Sequence, residues 1–204
     1  MLIRQRLKLV TSAVATAPSK CTSLLLPHLS SQIIDTTGNI DQIDNSLDRE
    51  FELKREDLEK RIGSVFHDKN QLKRAVTHKS RSNEEGHDCE DQDPLRTLGD
   101  AVLKAILCDW LFHQELTTKG EITIIKSEAE KRNFLAELGK QLDLSVAILP
   151  GKGAEHQKQH EQPNVIAETL EAIIAAIYLD RGYDVTKYVV SGWYEPYREY
   201  LMKN

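Results

Sequence analysis

The sequence predicts an all-α protein, and three observations support this fold class. From about Leu47 onward, apolar residues recur at the three- and four-residue spacing of amphipathic helices. The pair Asp93 and Pro94 is typical of a helix start, because proline is favoured at the first helical position. No stretch alternates convincingly between apolar and polar residues, and the one β-like segment, residues 144–149, is short. Helices should therefore fill most of the chain from residue 47 to residue 204.

The first predicted helices are short and are separated by polar segments. The apolar stripe of the first consists of Phe51, Leu53, Leu58 and Ile62. Gly63 should end this helix, because glycine interrupts a helical pattern. Leu72, Ala75 and Val76 form a second short apolar face. Residues 80–92 are acidic and polar and contain a glycine, so we expect a loop there.

The longer predicted helices lie in the second half of the chain. With Asp93 as its N-cap, a long helix should run to Leu111. Residues 120–142 should again be helical, and residues 149–163, rich in glycine and proline, should form a loop. Residues 165–179 are apolar nearly all round, which predicts a central, buried helix. A last helix is expected over residues 184–200.

Length and composition indicate one globular domain with an N-terminal extension. The chain has 204 residues, of which 40% are hydrophobic and 29% charged. The longest apolar runs end far short of the roughly 20 apolar residues that a membrane-spanning helix needs, so a transmembrane protein is excluded. Three cysteines without a C-x-x-C spacing argue against a disulfide framework and a cysteine zinc site. A net charge of −5 weakens a nucleic-acid function but leaves room for a local basic patch.

We predict that residues 1–46 are a leader and linker that precede the domain at residues 47–204. The first 34 residues contain four Lys or Arg residues and no Asp or Glu. A mitochondrial transit peptide has this composition, and so does a basic leader of a cytoplasmic protein. We expect a cytoplasmic protein, with the mitochondrial matrix as the alternative.

Four acids lie at positions where a helix should be mostly apolar. Asp93 and Asp100 are two helical turns apart, and Glu168 and Glu171 share a face of the buried helix. Burying an unpaired carboxylate costs several kcal/mol, so these side chains need cations. If the faces oppose, four carboxylates converge on a site suited to Mg²⁺ or Mn²⁺. Alternatively, the acids point to the helix edges and pair with basic side chains, namely Arg96, Lys104 or Arg132.

Several motifs, in order, resemble the ribonuclease III family. Residues 93–103, DPLRTLGDAVL, are similar to the family signature E-R-L-E-F-L-G-D-S-V-L. The flanking segments also match: residues 77–80, THKS, resemble T-H-R-S, and residues 132–138, RNFLAEL, resemble R-G-N-x-L-A-x-L. Residues 166–172 and 178–180 resemble L-A-D-x-x-E-A and F-L-D. The resemblance covers about residues 58–194 and implies a helical bundle that acts as an endonuclease domain.

The family resemblance also implies a metal site. Asp100 falls on the aspartate of the signature and Glu171 on the glutamate of the second motif helix. Glu168 falls on an aspartate of that second helix, and Asp93 falls on the first glutamate of the signature. With Mg²⁺, or Mn²⁺ as a substitute, all four would bind the metal. Asp100, Glu171, Asp93 and the basic residue Lys126 would be the catalytic residues. Arg96 departs from the family, which has a metal-binding glutamate there, and a guanidinium repels a cation.

The implied activity is hydrolysis of phosphodiester bonds in double-stranded or structured RNA, as in ribosomal RNA precursor processing. RNA-backbone contacts are expected from basic residues, namely Lys79, Arg81, Lys152 and Lys158. The resemblance ends near residue 194, so we expect no double-stranded-RNA-binding domain after it. A ribosome or an RNA-binding partner would then supply affinity.

Two further expectations concern assembly and an alternative function. A homodimer is expected, because Trp110, Leu111 and Phe112 close the signature helix with more apolar surface than a small monomer exposes. The alternative to an endoribonuclease is a catalytically impaired relative, such as a structural or RNA-binding component of the mitochondrial ribosome. Arg96 and the basic leader favour that alternative, whereas the retained acids favour the enzyme.

Overall fold

The computed structural model describes residues 46–86, 89–114, 116 and 118–203, and helices dominate these residues. The predicted leader and linker lie outside them except for Ser46. The helices are α1 Ser46–Ile62, α2 Lys69–Val76, α3 Lys79–Glu84, α4 Asp93–Phe112, α5 Lys119–Ala129, α6 Arg132–Gln141, α7 Leu144–Ala147, α8 Lys152–His156, α9 Pro163–Tyr194 and α10 Arg198–Lys203. Short 3-10 helices span Gln159–Glu161 and Glu195–Tyr197. The described residues contain no strand beyond one isolated bridge, so the all-α prediction is confirmed.

Helix α9 is the centre of the bundle, and α4, α6 and α2 pack against it. Its residues 172–177 are completely buried, as the apolar sequence predicts. Gly182 interrupts the helix with a φ of +77°, which separates the buried half from the half bearing Trp193. No helix among the described residues is long and apolar enough to cross a membrane.

Helices α4 and α9 approach each other closely at Gly99. A Cβ atom at this position would lie 1.8 Å from the backbone oxygen of Glu171. Only a residue without a side chain permits this approach. The contact places Asp100, the next residue of α4, beside the turn of α9 that carries Glu171.

The structure corrects several predictions about the helices. Leu53 was expected in the buried stripe of α1, but it is 82% exposed. Residues 80–92 were expected to be a loop, but α3 occupies the first part of them. Similarly, α8 and a 3-10 helix lie within the predicted loop at 149–163, and the β-like segment contains α7. The helix predicted over residues 120–142 is broken at residues 130–131 into α5 and α6.

The ends of α4 also differ from the prediction. Asp93 is the first residue of α4 rather than its N-cap; the cap is Gln92, which makes no side-chain capping hydrogen bond. Pro94 does lie in the first turn. Of the three residues expected to leave an apolar end exposed, Trp110 and Leu111 are buried within the domain, and only Phe112 is exposed. Of these three residues, Phe112 alone offers exposed apolar surface to a partner.

Candidate active site

The site lies where α4 crosses α9, and a buried hydrogen bond fixes the two helices to each other. The hydroxyl of Thr169 donates to the side-chain oxygen of Gln92 over 2.9 Å, and both residues are fully buried. The backbone N–H of Gln92 in turn donates to the carbonyl of Thr77, at the end of α2. Because Gln92 precedes Asp93 and Thr169 follows Glu168, this bond places an acid of α4 next to an acid of α9.

Arg96 binds the acids on this side of the site. One of its terminal nitrogens lies 2.8 Å from Glu168 and the other 3.1 Å from Asp93, so the guanidinium bridges the two helices. Lys79 donates a second hydrogen bond to Asp93 over 2.7 Å. The pKa of Asp93 is lowered, chiefly by the hydrogen bond from Lys79 and also by that from Arg96, with burial opposing them. Asp93 is therefore ionised, and both Asp93 and Glu168 are already paired with Arg96.

Asp100 and Glu171 form the other side of the site. Asp100 accepts a hydrogen bond of 2.7 Å from Lys104, one turn further along α4. Glu171 is partly buried, and no ion pair or hydrogen bond of its carboxylate is seen among the described residues. Burial raises the pKa of Glu171 to about 7, and the negative charges of Asp100 and Glu168 raise it further against the opposing field of Arg96. Glu171 is thus the acid of the site that lacks a cation.

These contacts decide how well the site fits a divalent ion. Within the residues that the structure describes, no group of three or more His, Cys, Asp and Glu side chains is placed to hold a metal ion. Asp100 and Glu171 fit one better, because Lys104 pairs with Asp100 alone and Glu171 has no cation. A divalent ion between the two acids would relieve their repulsion. Asp93 and Glu168 do not fit while Arg96 holds them. The described geometry thus offers two of the four predicted acids to a metal.

Comparison of the sequence with known proteins identifies the family of this chain. A family model described as Ribonuclease-III-like matches residues 68–196, which is more than half of the chain. The chain belongs to the ribonuclease III-like family. It is 34% identical over 134 residues to Ribonuclease 3 of Bdellovibrio bacteriovorus, a match that covers 65% of this chain and 57% of that protein. It is 37% identical over 127 residues to Ribonuclease 3 of Clostridium beijerinckii, covering 62% and 54%. The chain spans about half the length of the curated relatives it matches.

Solved structures support the same family. The nuclease domain of ribonuclease III from Campylobacter jejuni superposes with a TM-score of 0.64 and 30% identity, covering 69% of this chain and 96% of that one. A second structure of that domain gives a TM-score of 0.63 at 29% identity. The first is described in terms of a flexible region involved in its dimer formation. This ribonuclease III-like chain therefore has the fold of a nuclease domain and is similar to one in sequence.

Lys126, predicted as catalytic, lies on α5 in an ion pair with Glu130 at 2.7 Å. Both side chains are about one-fifth exposed. The charges of Glu130 and Glu171 both raise the pKa of Lys104, after the larger effect of the Asp100 hydrogen bond and against partial desolvation. The ribonuclease III-like site thus extends from α4 and α9 to α5. Glu130 was missed from the sequence, although its four-residue spacing from Lys126 is an ion-pair signal.

The predicted RNA-binding residues lie in different environments. Arg81 is mostly buried and forms ion pairs with Glu85 and Glu50, so little of it faces solvent. Lys79 is exposed, but its ammonium group binds Asp93. Lys152 is exposed in α8, where its backbone N–H donates to Glu84, and Lys158 is exposed and 3.6 Å from Glu161. Lys152 and Lys158 are therefore the two whose side chains can most readily contact a phosphate.

His78 has a structural role at the start of α3. Its Nδ1 accepts a hydrogen bond from the backbone N–H of Ser80 and caps α3. Burial lowers the pKa of His78, although Glu168, Asp93 and Asp91 act in the opposite direction. A neutral imidazole is the form that can accept this hydrogen bond. His78 therefore fixes the chain that leads from α2 into Lys79.

Proposed function

We propose that this ribonuclease III-like chain is an endoribonuclease that hydrolyses phosphodiester bonds in double-stranded or structured RNA with a divalent metal ion. The observation that carries the proposal is the pair of Asp100 and Glu171. A buried acid without a cation costs free energy, and folding alone offers no benefit that repays it. Such a pair is what a metal-dependent hydrolase requires, and sites of this kind are where strongly shifted pKa values occur.

Each group in the site has a chemical task in this proposal. Asp100 and Glu171 would hold the ion, which is Mg²⁺, with Mn²⁺ as a substitute. When bound, a divalent ion polarises a phosphoryl oxygen and lowers the pKa of water. Lys104, which contacts Asp100, places positive charge beside the pair. Lys104 and Lys126 would offset the charge that develops on a phosphate. Asp93 and Glu168 hold Arg96 and keep α4 and α9 in register.

The substrate and the partners belong to the same proposal. A chain with a net charge of −5 attracts phosphates weakly, so we propose that a precursor RNA, such as ribosomal RNA, is presented with help from a ribosome or an RNA-binding partner. Lys152 and Lys158 would contact the RNA backbone. The active form would be a homodimer. Its compartment would be the cytoplasm, or the mitochondrial matrix if the basic leader acts as a transit peptide.

Cleavage of double-stranded RNA by the purified protein tests the activity. Parent protein should cleave in Mg²⁺ and in Mn²⁺ and should not cleave in EDTA. Asp100→Ala should lower the rate by roughly a hundredfold or more, since it removes half of the ion-binding pair. Asp57→Ala is the matched control, because Asp57 is exposed and pairs with Arg61 at 2.9 Å on α1. Parent and Asp100→Ala proteins with equal activity would refute the assignment.

One observation favours the second candidate, a catalytically impaired structural or RNA-binding protein. Arg96 occupies the place of a family metal ligand and pairs with two of the acids that a metal would use. In that case the parent protein would bind structured RNA without cleaving it in either ion. Electrophoretic mobility shifts recorded beside the cleavage reactions separate the two candidates, because only the second predicts binding without product.

A further inference from the structure

We propose that Arg96 is a resident cation, meaning a guanidinium that takes the place of a divalent ion between Asp93 and Glu168 and confines ion binding to Asp100 and Glu171. This inference deepens the function proposed above. It rests on that function for the role of Asp100 and Glu171 as ligands of a catalytic ion. It concerns what the site binds rather than whether the site turns over RNA.

The first support is the geometry of Arg96 itself. Its two terminal nitrogens reach carboxylates on different helices, at 3.1 Å on α4 and 2.8 Å on α9. An ion that bridges two carboxylates makes the same kind of connection. A guanidinium is always protonated and its planar fork suits carboxylates, so the positive charge of the bridge does not depend on pH.

The second support is the distribution of charge around the four acids. Three basic side chains contact them: Lys79 and Arg96 on one side, and Lys104 on the other. Within the described part of the chain, four acids against three cations leave one acid without a cationic partner. The acid without a partner is Glu171, and no cation has to be displaced from it when a metal ion binds.

The third support is the position of Arg96 relative to Asp100. The two residues are one helical turn apart on α4, yet Arg96 turns away from Asp100 and pairs with Asp93 and Glu168. Asp100 pairs with Lys104 instead. A second divalent ion on the Arg96 side would meet a fixed positive charge that cannot act as a ligand. The site should therefore hold one ion and not a pair of ions.

Ion binding to the full chain tests this assignment without reference to catalysis. Calorimetric titration with Mn²⁺, and melting temperatures in EDTA and in Mg²⁺, should be compared for the parent and Arg96→Gln. The variant leaves Glu168 without its cation, so Mn²⁺ should bind roughly tenfold more tightly or at an additional site. The rise in melting temperature with Mg²⁺ should be larger than in the parent, by linkage. Unchanged affinity, stoichiometry and melting response would overturn the proposal.

Two further variants make the result specific. Arg61→Gln is the matched control, because Arg61 also pairs with a nearby acid and also has a buried Nε without a hydrogen bond, but it lies on α1. It should bind ions like the parent. Adding Glu168→Gln to Arg96→Gln should return Mn²⁺ affinity to the parent value. The second substitution removes the Glu168 carboxylate that Arg96→Gln leaves without a partner. A double variant that keeps the tighter binding would contradict the proposal.

Stability and activity give separate outcomes. If Arg96→Gln is unfolded in EDTA, refolding by Mg²⁺ supports the resident cation, and failure to refold in either ion overturns it. A parent that does not cleave RNA, with tighter ion binding in Arg96→Gln, would refute the proposed function and leave the resident cation standing. If the parent cleaves RNA and Arg96→Gln binds ions as the parent does, the proposed function stands and the resident cation is refuted.

Discussion

Glu171 shows how one residue makes the stability of this domain depend on pH. Its pKa is raised from an ordinary 4.5 to about 7, so the folded state binds a proton more tightly than the unfolded state does. The stability that this proton confers is complete below pH 4.5 and is lost as the pH rises to about 7. Because the side chain is only partly buried, solvent screening reduces the effect to about 1 to 2 kcal/mol.

We therefore predict a pH-dependent difference between the parent and Glu171→Gln in EDTA. Glutamine resembles the protonated acid, so the two should have similar free energies of unfolding near pH 4.5. By about pH 8 the variant should be more stable by about 1 to 2 kcal/mol. Urea unfolding at a series of pH values measures this difference, with Glu199→Gln as an exposed control that pairs with Lys203. A constant difference across this range would contradict the raised pKa.

The sequence indicates which acids need cations but not which cations they receive. Asp100, Glu168 and Glu171 stand out because they interrupt apolar helices. Arg96, however, is within one turn of both Asp93 and Asp100, so spacing alone permits either pair. Its choice of Asp93 depends on Glu168 of α9, which lies more than 70 residues later in the chain and which packing brings to the same guanidinium. Such a contact has no local signal.

At the scale of elements, the helix pair α4 and α9 depends on the close approach at Gly99. Gly99→Ala would place its Cβ 1.8 Å from a backbone oxygen of α9, and backbone cannot move aside as a flexible side chain can. We predict a loss of about 3 kcal/mol or more in the free energy of unfolding, measured by urea denaturation. Activity and ion binding should fall in parallel, because the same contact sets the distance between Asp100 and Glu171.

Gly192→Ala is the matched control for that substitution. Gly192 is also helical, and a Cβ there would meet nothing within 4 Å. The change should leave stability unaltered or raise it by up to about 1 kcal/mol, because alanine favours the helix. If the two alanine variants were equally stable, close packing at Gly99 would not be what limits the approach of the helices.

The length of an element decides how well the sequence predicts it. The 20 residues of α4 carry an apolar stripe and the buried half of α9 is apolar nearly all round, so the sequence predicts both. Helices α3 and α8 have six and five residues, too few to show a period. Contacts between the two helices stabilise them: Glu84 of α3 accepts hydrogen bonds from the backbone N–H groups of Lys152 and Gly153 at the start of α8. Contacts over this separation are set by the fold.

At the scale of the whole molecule, the expected homodimer depends on less apolar surface than the sequence indicates. Leu111 is 0% exposed and Trp110 is 7% exposed, because they pack inside the domain, whereas Phe112 is 71% exposed. Burying one exposed phenylalanine ring contributes about 1.5 to 3 kcal/mol. In a symmetric dimer the same ring is buried twice, once from each copy, so its removal should be felt twice.

We predict that the parent sediments as a dimer at micromolar concentration and that Phe112→Asp is a monomer. A charged side chain at this position would have to be desolvated in the interface, at a cost of several kcal/mol for each copy. The melting temperature of dilute Phe112→Asp should equal that of the monomeric parent, because Phe112 makes little contact with its own domain. Leu53→Asp, which replaces an 82% exposed leucine on α1, should remain a dimer. Sedimentation of the parent as a monomer, or of both variants as dimers, would show that Phe112 does not join two copies.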